Sequence, residues 1–294
     1  MNDLKAGGWR EMNDRQVVTD AALNHMLVLD RTKDLQQRDV LHPFAIDELL
    51  CRSAGRGGPA ICHLWRHPRG FVLGLADSRL PHAAEAQRQM NEQGWSTAVR
   101  NSGGAAVPLD DGVVNISLIM PKEFGRHEPF DHDFELMYRL IAKALGAYGD
   151  KVEKGEITGA YCPGNYDLSI GGFKFCGIAQ RRQTHAVIVQ AFVVAEGSGA
   201  ERARLVRSFY EQAAAGTTGS AHPHVTELST ASLAELTALG VDGAAAAVFA
   251  AAVKRTVLQE QAAASSSEAA ARLRMPTEEE IARMVAILRE RYTG

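Results

Sequence analysis

Two reactive side-chain types stand close together in one stretch of the 294-residue chain: Cys162, in Tyr161-Cys162-Pro163-Gly164, and Lys174, in Phe173-Lys174-Phe175-Cys176. A Pro-Gly pair directs a tight turn, so Cys162 is expected at a rigid edge with access to a substrate. The nucleophilic form of cysteine is the thiolate, and an ordinary thiol is mostly protonated at neutral pH, so a nearby ammonium would activate it. Lys174 is the candidate for that charge, and the chemistry such a pair serves is nucleophilic catalysis.

The commoner readings are plainer. Most lysines are solvated on an exposed face, and most free cysteines are small buried hydrophobes. Cys51 and Cys62, in apolar helix and strand patterns, keep the second reading. Cys176 competes with Cys162. A Gly171-Gly172 loop suits a tight hairpin, whose register would pair Ser169 with Lys174 and Asp167 with Cys176 on one face. Leu168, Ile170, Phe173 and Phe175 would form the other, apolar face. Cys176 then lies roughly 7 Å along the strand from Lys174, and geometry leaves both thiols open.

A second candidate segment is the loop Arg100-Asn101-Ser102-Gly103-Gly104-Ala105, whose glycines leave backbone N–H groups unshielded for a carbonyl or phosphate. Alone it is weak, since paired glycines more often mark an ordinary turn and the Lys-Ser/Thr ending of a P-loop is missing. Histidines 63 and 67, or 222 and 224, lack matching carboxylates, and Pro68 and Pro223 break any helical spacing there, so they are taken as structural and no metal site is expected.

The elements that must position these residues follow from periodicity. Ala45, Leu49 and Leu50 have helical spacing, ICHLWRH and FVLGLA read as short strands, and LPHAAEAQRQMNEQG is a helix that Gly94 would end. STAVR and VVNISLIM are strands on either side of the glycine loop, and FDHDFELMYRLIAKALGAYG is an amphipathic helix. HAVIVQAFVVAE is apolar nearly throughout and is expected as a central buried strand. Helices follow, with capping boxes at Ser232 to Glu235 and Thr277 to Glu280. The first forty residues read as irregular, and the serine-interrupted stretch from Ala262 to Arg272 as a flexible joint.

Composition excludes several classes. A chain 46% hydrophobic has enough apolar side chains for a folded core. A formal net charge of -3, with 32 basic and 35 acidic side chains interspersed, offers no basic field for nucleic acid. No apolar run suits a signal peptide or a membrane span, so a cytoplasmic protein without a membrane partner is expected. The four cysteines have no C-x-x-C pairing and are expected as free thiols.

RNSGGAAVPLDDGVVNISLIMP, from Arg100 to Pro121, and GAYCPGNYDLSIGGFKFCGIAQRR, from Gly159 to Arg182, together resemble the lipoate-protein ligase and octanoyltransferase superfamily in order and spacing. Within it the chain looks most like the octanoyl-transferring amidotransferases, with the likeness clearest from about residue 43 to residue 210. The resemblance implies an α+β fold, with a mixed, largely antiparallel sheet flanked by helices as in the biotin and lipoate-protein ligases. Residues 1–294 would form one catalytic domain, with its core at about 43–215 and a helical carboxy-terminal part at 230–294.

The same resemblance implies that Cys162 carries an acyl thioester, that Lys174 favours its thiolate, and that Cys176 lines the site without reacting. It implies substrate contacts from Arg100, Ser102, Gly103, Gly104, Asn115 and Gly177, with oxyanion donors near Gly103, Gly104 or Gly177. Val107, Ile116 and Phe175 are expected to line the acyl slot. The octanoyl donor would be the glycine cleavage H protein, the acceptor the lysine of lipoyl domains of 2-oxoacid dehydrogenases, and no cofactor would be needed. The alternatives are transfer from acyl carrier protein, an ATP-dependent lipoate ligase, which needs no cysteine, and a non-catalytic binding module for lipoyl domains.

Overall fold

The computed structural model describes residues 23–122, 130–149, 151–216, 222–240, 243–261 and 263–291. A seven-stranded sheet runs in the order β1 (Leu27–Arg31), β2 (Ile61–Trp65), β6 (Val113–Pro121), β10 (Ala186–Val194), β9 (Phe173–Arg182), β8 (Leu168–Ile170) and β7 (Glu153–Lys154). Among the described residues, β1 and β2 are its one parallel strand pair. A three-stranded sheet places β3 (Arg69–Leu73) between β4 (Ser96–Val99), parallel to it, and β5 (Val107–Asp110), antiparallel. The expected mixed, largely antiparallel α+β fold is what forms.

The apolar run of β10 follows from burial on both faces. Ile188, Phe192 and Val194 enter one hydrophobic cluster with the small sheet and helices α1 (Leu41–Ala54), α2 (Ala83–Glu92) and α4 (Gly199–Ala213). Val187, Val189, Ala191 and Val193 enter the other, with α3 (Phe130–Leu145), α5 (Leu233–Leu236) and α6 (Ala245–Glu260). Alternate side chains thus fill opposite sides of one strand. Gln190 breaks the run because its Nε2 donates to buried Asp47 at 2.9 Å. Ser117 Oγ at 2.5 Å and His63 Nδ1 at 2.7 Å meet the same carboxylate, so the buried charge is well partnered.

Gly94 ends α2 with φ of 86°, a conformation that favours glycine. The capping boxes at Ser232–Glu235 and Thr277–Glu280 both form, the second starting α8 (Glu278–Arg291), which packs Ile281, Met284 and Leu288 into the first cluster. Two expectations fail. The stretch read as irregular contains β1, a strand too short for periodicity to reveal, while residues 1–22 lie outside the described residues. Residues Ala263–Arg272, read as a flexible joint, form helix α7, in keeping with their alanine content; Ala262 lies outside the described residues.

The Gly-Gly hairpin forms as expected, with φ of 57° at Gly171 and 82° at Gly172 and Ser169 opposite Lys174. Its continuation differs. A register shift between Leu168 and Ser169 sets Leu168, not Asp167, opposite Cys176. An irregularity of this kind releases a side chain from the ladder and re-aims it. Asp167 is the residue released.

Candidate active site

Lys174 is a buried lysine, 1% exposed, so the solvated reading is wrong for it. Its ammonium has three protons and three partners: the carbonyl oxygens of Tyr161 at 2.9 Å and Cys162 at 2.6 Å, and the carboxylate of Asp167 at 2.8 Å. Asp167 also accepts from Gly164 N–H at 3.2 Å, while its own N–H donates to the Gly164 carbonyl at 3.0 Å. The turn from Tyr161 to Gly164 is therefore clamped from both ends by one buried ion pair. Within it Cys162 has φ of 48°, a left-handed conformation that a non-glycine residue holds only when its surroundings enforce it.

The sulfur points the other way, into the glycine loop. Arg100 Nη2 lies 3.1 Å from Cys162 Sγ and also donates to the Ala105 carbonyl at 2.8 Å, while Ala105 N–H reaches the sulfur at 3.3 Å. Gly104 makes this approach possible: at its φ of 104° a Cβ would stand 2.3 Å from Arg100 Nη2 and 2.9 Å from Sγ. Behind the loop, Tyr210 on α4 donates to Asp77 at 2.9 Å and accepts from Ala106 N–H at 3.2 Å. Gly104→Ala is expected to cost at least about 1 kcal/mol and to slow alkylation of Cys162. A denaturant melt and an iodoacetamide time course measure the two effects.

Cys162 opens on a cavity of about 390 Å³, within the usual range for small-molecule sites. Its floor is one face of the large sheet, where Trp65, Asn115, Phe192 and Gly177 stand opposite one another across β2, β6, β10 and β9. A Cβ on Gly177 would lie 2.5 Å from the Phe192 ring, so this glycine gives the ring its place. Phe44, Val72 and Leu109 add apolar walls, and Phe134 and Tyr166 stack at 4.8 Å where α3 meets the turn after Cys162.

Of the residues singled out in the sequence, Cys162, Arg100, Gly103, Gly104, Asn115 and Gly177 all line this cavity, as do Val107 and Ile116. Asn115 Nδ2 is buried and has no hydrogen-bond partner among the described residues. Three expectations need correction. Ser102 is buried but does not line the cavity. Phe175 packs into the cluster on the opposite side of the sheet. Cys176 joins Phe175 there rather than lining the site, and burial pushes its thiol well above the ordinary value.

Cys51 and Cys62 are buried, and burial pushes both thiols up to about 12. His63 belongs to the Asp47 network, and His67 accepts from Arg69 N–H while burial holds it down at about 4. His222 stacks on Tyr210 with ring centroids 4.7 Å apart. Sequence reading marks the loop that ends at Ala105 but misses Asp77 and Tyr210, because contacts between segments so far apart leave no periodic signal.

Burial raises the Asp167 carboxyl to about 6, with Lys174 and Gly164 N–H offsetting only part of that effect. The folded carboxyl keeps its proton to higher pH than an unfolded one at 3.8, so this group stabilises the fold most below 3.8 and loses that contribution as pH rises through 6. The ionised form is nevertheless the one that pairs fully with Lys174. Any activity that depends on the Cys162 turn should therefore fall on the acid side of about pH 6, and Asp167→Asn should flatten that limb in a pH profile of kcat/KM.

Among the described residues no helix is long and apolar enough to cross a membrane. Residues 39–250 match the family model for the lipoyl protein ligase A/B catalytic domain. The octanoyl-[GcvH]:protein N-octanoyltransferase of Geobacillus kaustophilus is 48% identical over 200 residues, covering 67% of this chain and 70% of that protein. The protein of the same name from Macrococcus caseolyticus is 42% identical over 209 residues, or 71% of this chain and 74% of its own length. Among solved structures, a lipoate-protein ligase A bound with ATP superimposes with a TM-score of 0.60 at 19% identity, over 92% of this chain and 96% of that one. The bipartite lipoate protein ligase of Thermoplasma acidophilum gives a TM-score of 0.53 at 18% identity, over 92% and 94%. These two likenesses concern the fold. This chain belongs to the lipoyl protein ligase A/B catalytic domain family and, like the relatives it matches there, is an acyltransferase.

Proposed function

We propose that this protein is a cytoplasmic amidotransferase that takes an octanoyl group from a lysine of the glycine cleavage H protein and passes it to the lysine of a lipoyl domain through a thioester on Cys162. The observation that carries this reading is a cysteine held in a left-handed turn at the mouth of a largely apolar cavity, its sulfur met by Arg100 Nη2 and Ala105 N–H. The relatives' shared name, which specifies the octanoylated H protein as donor, supports the choice of donor.

Cys162 Sγ attacks the carbonyl carbon of the donor amide. A C–S bond forms, the amide C–N bond breaks, and the proton the thiol gave up ends on the released lysine amine. The acceptor lysine then attacks the thioester, a C–N bond replaces the C–S bond, and its displaced proton restores the thiol. One amide replaces another, so the exchange needs neither ATP nor an oxidant. Lys174 is a positioning residue in this scheme: it acts through the carbonyls of the turn that carries Cys162. Asn115 and the Phe192 ring lie on the floor against which the acyl chain rests.

The reading is tested by mixing the protein with octanoylated H protein and an unmodified lipoyl domain in the absence of ATP. Gain of one octanoyl group by the lipoyl domain, followed by mass, is expected. Transfer that appears only when free octanoate and ATP are supplied contradicts it.

A further inference from the structure

We propose that Tyr210 and Asp77 are positioning residues for acyl transfer, which act through the glycine loop and keep its amide groups where the oxyanion of the reaction forms. The proposal rests on Cys162 being the acyl carrier, and it gives a task to two buried side chains that do not line the cavity.

The glycine loop is held at its start, middle and end. Arg100 N–H donates to the Leu73 carbonyl at 2.9 Å, where β3 stops. The Gly104 carbonyl rests directly on Gly74, where any Cβ would collide with it. Ala106 N–H donates to the Tyr210 hydroxyl at 3.2 Å, and that hydroxyl donates in turn to Asp77 Oδ1 at 2.9 Å. The other carboxylate oxygen, Asp77 Oδ2, accepts from Gly74 N–H at 2.8 Å. One carboxylate therefore joins the Gly74 corner beneath the loop to the α4 side chain that holds the loop's end. Tyr210 is 1% and Asp77 3% exposed, so little water competes for these bonds.

Acyl transfer needs such fixity. When Cys162 Sγ bonds to the acyl carbonyl carbon, the carbonyl oxygen takes up negative charge only two bonds from the sulfur. Ala105 N–H, 3.3 Å from Sγ, is within reach of that oxygen, and it is the amide immediately before the one that Tyr210 holds. Donors of this kind contribute most when they are fixed in advance, because a hydrogen bond weakens steeply as its geometry degrades. Without the Tyr210 hydroxyl, Ala106 N–H is left buried with no acceptor. A loop that shifts to satisfy it carries the Ala105 amide along. Burial and the Asp77 charge push the Tyr210 phenol above its ordinary value, so it keeps its proton and serves as a bridge.

The test compares two reactions of the same sulfur at one pH. Octanoyl p-nitrophenyl ester acylates Cys162 through an oxyanion: a C–S bond forms, the ester C–O bond breaks, p-nitrophenolate leaves and the thiol proton passes to solvent. Iodoacetamide alkylates the sulfur by displacing iodide, and no oxyanion forms. In Tyr210→Phe the limiting rate of acylation should fall about tenfold or more at an unchanged half-saturating ester concentration, while alkylation stays within about twofold of the wild type. An unchanged acylation rate, or equal falls in both reactions, overturns the proposal. Should Tyr210→Phe fail to fold, Asp77→Asn decides. It has the same shape but turns one carboxylate oxygen into a donor facing the Tyr210 O–H or the Gly74 N–H, so the same split between the two reactions is expected, and its absence is equally contrary. The ester requires no H protein. A wild type that the ester acylates at Cys162 but that takes nothing from octanoylated H protein would count against the proposed function alone, whereas one that the ester does not acylate there overturns both.

Discussion

Cys162→Ser is expected to abolish the octanoyl thioester and to lower transfer by at least about a thousandfold, the scale seen when a covalent nucleophile is removed. The reason lies in the groups around the sulfur. Arg100 Nη2 and Ala105 N–H both donate, and neither can take a proton. Such a site has no base to strip a serine hydroxyl, whereas a thiol is intrinsically the far stronger nucleophile at neutral pH. Steady-state transfer followed on the acceptor domain measures the loss, and circular dichroism should show an unchanged fold. Cys176→Ser should transfer like the wild type, since Cys176 is packed on the far side of the sheet with its thiol raised by burial.

Lys174→Met is expected to produce the largest loss of stability among single substitutions at the site. It leaves Asp167 buried without its cation, and breaking a buried pair in this way costs about 3–5 kcal/mol near neutral pH. For a chain of this size that corresponds to a Tm about 5–8 °C lower. The penalty should shrink as pH falls, because Asp167, already raised to about 6 beside Lys174, would rise further without it and take up a proton. The double variant Lys174→Met with Asp167→Leu should recover much of the stability, since it removes both charges from the interior. Neither variant should retain ordinary activity, because the carbonyls of Tyr161 and Cys162 lose the ammonium that fixes the left-handed turn. Melts at pH 5 and pH 8 distinguish this account from a simple packing defect, whose penalty would be the same at both.

The sequence displayed the parts of the fold that repeat. The near-continuous apolar run of β10, the helical spacing of α3, both capping boxes and the Gly171-Gly172 turn are local patterns, and each forms where the sequence shows it. The register error at Asp167 is a different matter. A one-residue shift within a hairpin leaves the hydrophobic alternation of β9 intact, so nothing local marks it. That shift nevertheless determines whether Asp167 opposes Cys176 or clamps Lys174.

The site was legible as a set of residues and not as a set of contacts. Cys162 and Lys174 were visible because a Pro-Gly turn and a hairpin lie 12 residues apart. Nearness brings Lys174 to notice, but the set of partners its ammonium meets, two backbone carbonyls and a carboxylate, has no local pattern to display it. The guanidinium that does touch the sulfur comes from a loop 62 residues earlier. Its approach depends on β3, β4 and the glycine loop coming together beside the turn, a tertiary arrangement with no sequence period. Asp77 and Tyr210, which are 133 residues apart, escaped notice for the same reason.

The central claim is that Cys162 takes the acyl group directly from an amide. It is tested most directly by incubating the protein with octanoylated H protein alone, without ATP or acceptor, and recording the intact mass under conditions that preserve thioesters. One octanoyl group should appear on the protein, map to the peptide containing Cys162, and be released by hydroxylamine. An adduct that maps to Cys176, or that persists in Cys162→Ser, would contradict the account.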